Sequence, residues 1–133
     1  MKWRLWLIPI LLMSSPAPAP AQVKGPVTFT VEVPQGKWKA LRLRNVPTGA
    51  VVAVEVVSSG DVVVAFADET EYRRYPALER PLFFGRVEKR IAFSVTAPAE
   101  GNYYVVFDNR SGMESRVVTA RVRAARGTQR APM

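Results

Sequence analysis

From Val27 onward the chain alternates apolar and polar residues with a period of two. Val27, Phe29, Val31 and Val33 interleave with Thr28, Thr30 and Glu32, the pattern of a strand that buries one face. Pro34-Gln35-Gly36 supplies a turn, and Trp38 to Arg44 predicts a second strand with Leu41 and Leu43 on one face and Arg42 and Arg44 on the other. Ala50–Val57 and Asp61–Ala67 are β-branched runs joined by Ser58-Ser59-Gly60, which predicts a hairpin of two largely buried strands. Asp68 to Arg80 mixes charged and aromatic residues and predicts a long connection with one helical turn, followed by a short edge strand at Leu82-Phe83-Phe84. Val87–Val95 alternates again, with Ile91, Phe93 and Val95 inward. Tyr103–Phe107 and Ser115–Arg123 follow as strands, the last with Val118, Ala120 and Val122 opposite Arg121 and Arg123. Seven to eight short strands separated by turn residues predict an all-β domain, an antiparallel β-sandwich or jelly roll, with a closed barrel as the alternative.

The N-terminal segment follows a different pattern. Lys2 and Arg4 precede an apolar run from Leu5 to Met13, which leads to the small-residue exit Ala19-Pro20-Ala21. That order predicts a cleaved signal peptide over residues 1–21. As a helix the run spans about 14 Å, less than half the roughly 30 Å of a bilayer core, so no transmembrane anchor is expected from it. The expected domains are therefore a signal peptide at 1–21, a β-sandwich at 22–123, and a disordered basic tail at 124–133, where no apolar period remains. The expected location is periplasmic or secreted.

Two absences narrow the chemistry. With no Cys and no His, the chain lacks the usual zinc, haem and copper ligands and the commonest general base. No cofactor, no metal and no catalytic residue is expected, and the domain must be held by burial alone. Without Lys2 and Arg4, seventeen basic residues face eleven acidic ones, a balance of +6. That surplus supports weak association with anionic surfaces but no specific nucleic-acid partner.

Candidate sites lie in loops and on outward strand faces. Tyr72, Arg73, Arg74 and Tyr75 combine aromatic rings with guanidinium groups in one loop, a combination suited to binding a protein or a glycan. The competing assignment packs both tyrosines over the sandwich edge and leaves the arginines to solvate it. Arg42 and Arg44, with Arg121 and Arg123, form a secondary basic face if their strands lie near one another. Charged edge protection is the alternative role for those four. Asp68-Glu69-Thr70-Glu71 has the oxygen donors calcium prefers but not the spacing of a calcium loop, so a solvated cluster balanced by Arg73, Arg74 and Arg80 is expected. Asn109-Arg110-Ser111 fits a glycosylation acceptor, yet Asn109 occupies a turn position and a turn role is expected.

The segment Gly101-Asn102-Tyr103-Tyr104-Val105-Val106-Phe107-Asp108-Asn109 resembles the late strand of the Golgi-dynamics (GOLD) domain. Gly101, Tyr103, Phe107, Asn109, Ser111 and the Val117-Val118 strand fall on the family's positions, and Val106 stands where its cysteine would be. Looser matches at Val31–Gly36 and Ser58–Val62 extend the resemblance to about Val27–Val122. Pre-peptidase C-terminal sandwiches share the Gly-x-Tyr feature. The resemblance implies a β-sandwich and an exported recognition module; without the cysteine pair it does not extend to a trafficking role. Taken together, the residues point to an exported, non-catalytic binding or accessory domain whose partner is a protein or an envelope glycan. The competing classes are a small carboxylate-dependent glycan hydrolase or lyase and a structural subunit of an envelope assembly.

Overall fold

In the chain's computed structural model, residues 10–11 and 26–126 are described. The strands are β1 (Ile10–Leu11), β2 (Val27–Val33), β3 (Trp38–Val46), β4 (Ala50–Ser58) and β5 (Val62–Asp68). After one helical turn, α1 (Glu69–Tyr72), come β6 (Phe83–Val87), β7 (Arg90–Thr96), β8 (Gly101–Asp108) and β9 (Arg116–Arg126). One sheet, called A here, has the order β1-β3-β8-β5-β6, and the other, sheet B, has the order β2-β9-β4-β7.

The pairs β2/β9, β3/β8, β4/β7 and β5/β6 are all antiparallel and nest inside one another along the chain. That nesting is the topology of a jelly roll, in which a long folded strand pair is rolled into two facing sheets. It also corrects the expected hairpin at Ser58-Ser59-Gly60. β4 lies in sheet B and β5 in sheet A, so this link carries the chain from one sheet to the other. Ser58 Oγ donates to Gly60 O at 2.6 Å and so shapes the corner locally. Both runs are apolar enough to be buried, but β4 pairs with β7 and β9, and β5 with β6 and β8. Among the described residues only β5 and β6 are consecutive strands paired in one sheet, and the connection between them is the long segment 69–82.

The core lies between the sheets, where the inward positions meet. Val31, Val33, Leu41, Leu43, Val54, Val56, Val64, Phe66, Val105, Phe107, Val118 and Val122 are all buried there. Each such side chain contributes roughly 1.5–3 kcal/mol through removal from water, so a domain without disulfides can stand on this layer. Tyr103 packs against Phe66 and its hydroxyl bonds to Ala99 O, closing the turn that precedes β8.

Two expected boundaries move. The strand expected at Leu82-Phe83-Phe84 is β6, Phe83–Val87, and the turn Glu88-Lys89 separates it from β7. Ala124, Ala125 and Arg126, which the sequence placed in the expected tail, instead extend β9 and pair with Val52, Val51 and Ala50. β4 offers ladder positions to that stretch even though its Ala-rich sequence has no apolar period. Residues 127–133, and all of the expected signal segment except residues 10–11, lie outside the described residues. Among the described residues no helix is long and apolar enough to cross a membrane.

Candidate functional site

The two outer faces of the sandwich are built differently. On sheet A the outward positions of the central strands are small or apolar: Ala40 on β3 and Ala65 on β5 flank Val106 on β8. All three are nearly fully buried, because the segment 69–82 crosses above them and lays down Tyr72, Tyr75 and Leu78 beside Trp38. A second, smaller apolar cluster thus forms on the outside of the sheet.

Three polar anchors fix this segment. Asp68 caps α1, its Oδ1 accepting from Glu71 N at 2.8 Å. Glu71 then points back under the loop, where its Oε1 accepts from the backbone N–H groups of Glu79 and Arg80 at 2.8 and 3.1 Å. Those bonds, the one from Arg80 first, hold the Glu71 carboxyl below its ordinary value; the positive charges of Arg74 and Arg80 act in the same direction and partial burial opposes them. The third anchor joins Tyr75 to the sheet: its hydroxyl donates to Asp108 Oδ2, and Arg110 Nε reaches both oxygens of the same carboxylate at 3.0 and 2.9 Å. Burial first, and Asp108 second, push the Tyr75 phenol well above its usual range, so it remains a donor at any physiological pH.

This geometry distributes the four loop candidates between two roles. Tyr72 stacks on Tyr104 with centroids 3.9 Å apart and meets Trp38 edge-on, while Tyr75 contacts Trp38 at 4.9 Å and has the Arg110 guanidinium 5.7 Å from its ring centroid. Both rings are packing residues. The solvent-facing groups are the arginines: Arg73 is 72% exposed and pairs with Glu69 at 3.2 Å, and Arg74 is 37% exposed and bridges Glu79 at 3.1 Å. Sequence reasoning did not single out Trp38, Tyr104, Asp108 or Arg110 for this site. The signal for them was the run of outward-facing alanines, which leaves room for a covering segment.

The acidic stretch Asp68-Glu69-Thr70-Glu71 is divided in the same way. Asp68 is a cap, Glu71 an internal staple, and Glu69 accepts from Asn102 Nδ2 at 3.3 Å and pairs with Arg73. Among the described residues no group of three or more acidic side chains is placed to hold a metal ion. Asn109 is buried, and its Nδ2 donates to Val33 O and Glu114 O at 3.0 and 2.8 Å, tying the turn after β8 to β2. Gly112 makes that turn possible, since a Cβ there would collide with Asn109 Oδ1.

The secondary basic face does not assemble. Arg42 and Arg44 project from β3 on the outer side of sheet A, whereas Arg121 and Arg123 project from β9 on the outer side of sheet B. The two pairs stand on opposite faces of the molecule because β3 and β9 belong to different sheets. On sheet B, Arg121 and Arg123 rim a shallow trough of about 460 Å³ whose floor includes Ala53, Ala92 and Ser94. Nothing covers that floor among the described residues; Glu55 beside it is paired with Arg90 at 3.0 Å.

No family model matches the chain, and no curated protein matches it either. Solved structures do share its architecture. The chain is similar to PliG of Aeromonas hydrophila, a periplasmic lysozyme inhibitor of g-type lysozyme, with a TM-score of 0.63 at 10% identity over 76% of this chain and 87% of that one. PliG of Salmonella Typhimurium gives 0.53 at 9% identity over 80% and 94%. The K3 cleaved adhesin domain of Lys-gingipain from Porphyromonas gingivalis gives 0.56 at 10% identity over 72% of each chain. At these identities the likeness establishes the fold, an antiparallel β-sandwich.

Proposed function

We propose that this protein is an exported, non-catalytic binding domain that recognises a protein or an envelope glycan through the outer face of sheet A. The observation that carries the proposal is the anchoring of segment 69–82. A covering loop held by Asp68, Glu71 and the Tyr75–Asp108–Arg110 group presents its exposed arginines from a fixed backbone, so little ordering entropy remains to be lost on binding. With Tyr72 and Tyr75 occupied in packing, Arg73 and Arg74 are the recognition groups. They favour a partner carrying carboxylates over a sugar stacked on an aromatic ring. Membership among GOLD-like sandwiches is part of the same proposal, resting on the Gly101–Asn109 segment and its buried turn asparagine.

Support from similar structures is of the same kind: sandwiches of this architecture include a periplasmic inhibitor of an enzyme and an adhesin domain. Export is supported by the pattern of residues 1–21. The test is affinity capture from envelope extract with the exported protein beside Arg73→Ala/Arg74→Ala, a pair that leaves the aromatic cluster intact. Retention of one identified partner by the first protein and its loss from the second supports the proposal. Equal retention by both rules out the loop as the site.

A further inference from the structure

A second surface on the same side of the molecule concerns the backbone. At one side of sheet A the last long strand is β3, and among the described residues the only strand beyond it is the two-residue β1, which pairs Ile10 with Arg42 and Leu11 with Leu41. Those residues belong to the segment expected to be removed on export. Without them, the outer hydrogen-bonding positions of β3 have no strand partner among the described residues. Asn109 N donates to Lys37 O at 2.9 Å, and the register continues as Trp38↔Asp108, Lys39↔Phe107 and Ala40↔Val106. The antiparallel ladder alternates, so Lys39, Leu41 and Leu43 bond to β8 while Ala40 and Arg42 turn their N–H and C=O groups to the open edge. The regular stretch ends at Leu43, since a bulge with Asn45 at φ 53° shifts the register before Val46.

The side chains along this edge have a definite sign. Arg42 and Arg44 follow Trp38 and Ala40 on the outward face, and neither takes part in an ion pair among the described residues. Arg42 Nε is buried and has no hydrogen-bond partner among the described residues, so no internal carboxylate neutralises this side chain through that atom. The inward positions beside the edge are Leu41 and Leu43. Two copies of β3 side by side would bring the arginines of one against those of the other, which disfavours self-pairing.

From this juxtaposition of an open strand edge at Ala40 and Arg42 with a cationic outer row, we propose that the β3 edge, once residues 1–21 are gone, accepts an extended segment of a partner protein as an added antiparallel strand. The incoming strand places apolar side chains beside Leu41 and Leu43 and carboxylates beside Arg42 and Arg44. Residues 10–11 already show that the edge takes a strand in this direction. The inference rests on the export reading and is independent of the loop arginines.

The test uses protein recovered from the periplasm, with its mass reporting whether residues 1–21 have been lost, and a blocked octapeptide of alternating valine and glutamate as probe. Saturating peptide should slow amide exchange at Ala40 and Arg42 by about tenfold or more, with no change along β2 or β7, the edges of the other sheet. The valine–lysine counterpart should not bind. Arg42→Glu/Arg44→Glu should exchange the two preferences, and N-methylation of the valine amides should abolish binding to the unaltered protein. Equal binding of both peptides, or peptide binding without protection at Ala40 and Arg42, overturns the proposal. A recovered chain that retains residues 1–21 contradicts export itself, whereas a shortened chain that takes no peptide contradicts only the strand addition.

Discussion

The outer face of sheet A and the outer face of sheet B are made by the same kind of strand, yet one is a second interior and the other is solvent-facing. On sheet B the outward row reads Thr28, Thr30, Glu32, Thr119, Arg121 and Arg123, and Thr30 and Thr119 pair across the ladder through their hydroxyls at 3.1 Å. On sheet A the equivalent positions are Ala40, Ala65, Ala67 and Val106, all shielded from solvent. Small outward residues lower the floor, and an aromatic segment fills it. The difference shows that a jelly roll can add an interior layer without adding a sheet, provided that the connection between its two innermost strands is long enough to cross the face.

The sharpest way to break the contrast is to place the same charge on both faces. Val106→Asp buries a carboxylate beneath Tyr72 and Tyr75 and should cost about 3 kcal/mol or more in denaturant unfolding. Tyr75→Phe is the next largest change. It removes one of the groups that satisfy the buried Asp108 carboxylate and should cost about 1 kcal/mol by the same measurement.

Titration separates the anchors further. Burial raises the phenols of Tyr72, Tyr75 and Tyr103 in the folded state. A raised folded value means that their stabilisation is complete below the unfolded phenol range, near pH 10, and is lost as pH rises beyond it. Alkaline unfolding should therefore set in above about pH 10 and be weaker in Tyr75→Phe. Glu71 has the opposite sign. Its carboxyl is lowered, so its contribution is present above its ordinary value of 4.5 and is lost as pH falls through the folded value. Glu71→Gln should loosen the loop locally, with faster amide exchange at Glu79 and Arg80 and little change in the core strands. The smallest effect is expected on the other face: Val117→Asp, at a position 50% exposed, should fall within about 0.5 kcal/mol of the parent protein.

The period-two pattern made the strands legible where one face is buried and the other wet, as in β2, β7 and β9. It said less about β5 and β8, whose apolar runs Val62–Ala67 and Tyr103–Phe107 are buried on both faces, one against the core and one beneath segment 69–82. Sheet membership was not legible at Ser58-Ser59-Gly60, because a short polar link between two apolar strands serves equally as a hairpin turn or as a crossing between layers. At the site, Tyr72–Tyr75 stood out as an aromatic and basic cluster, but its division into packing tyrosines and exposed arginines depends on Trp38, Tyr104 and Asp108, which arrive from distant strands. The four-arginine face failed for a similar reason: alternation places each pair outward without saying on which side of the molecule its strand lies.

The most direct test of sheet A as the recognition face is a paired charge reversal, Arg73→Glu/Arg74→Glu on one side and Arg121→Glu/Arg123→Glu on the other. Each folded variant would be compared with the parent protein in capture of its identified envelope partner. Binding is expected to be lost with the first pair and kept with the second. Binding kept with the first pair and lost with the second would contradict that expectation and place recognition in the trough on sheet B.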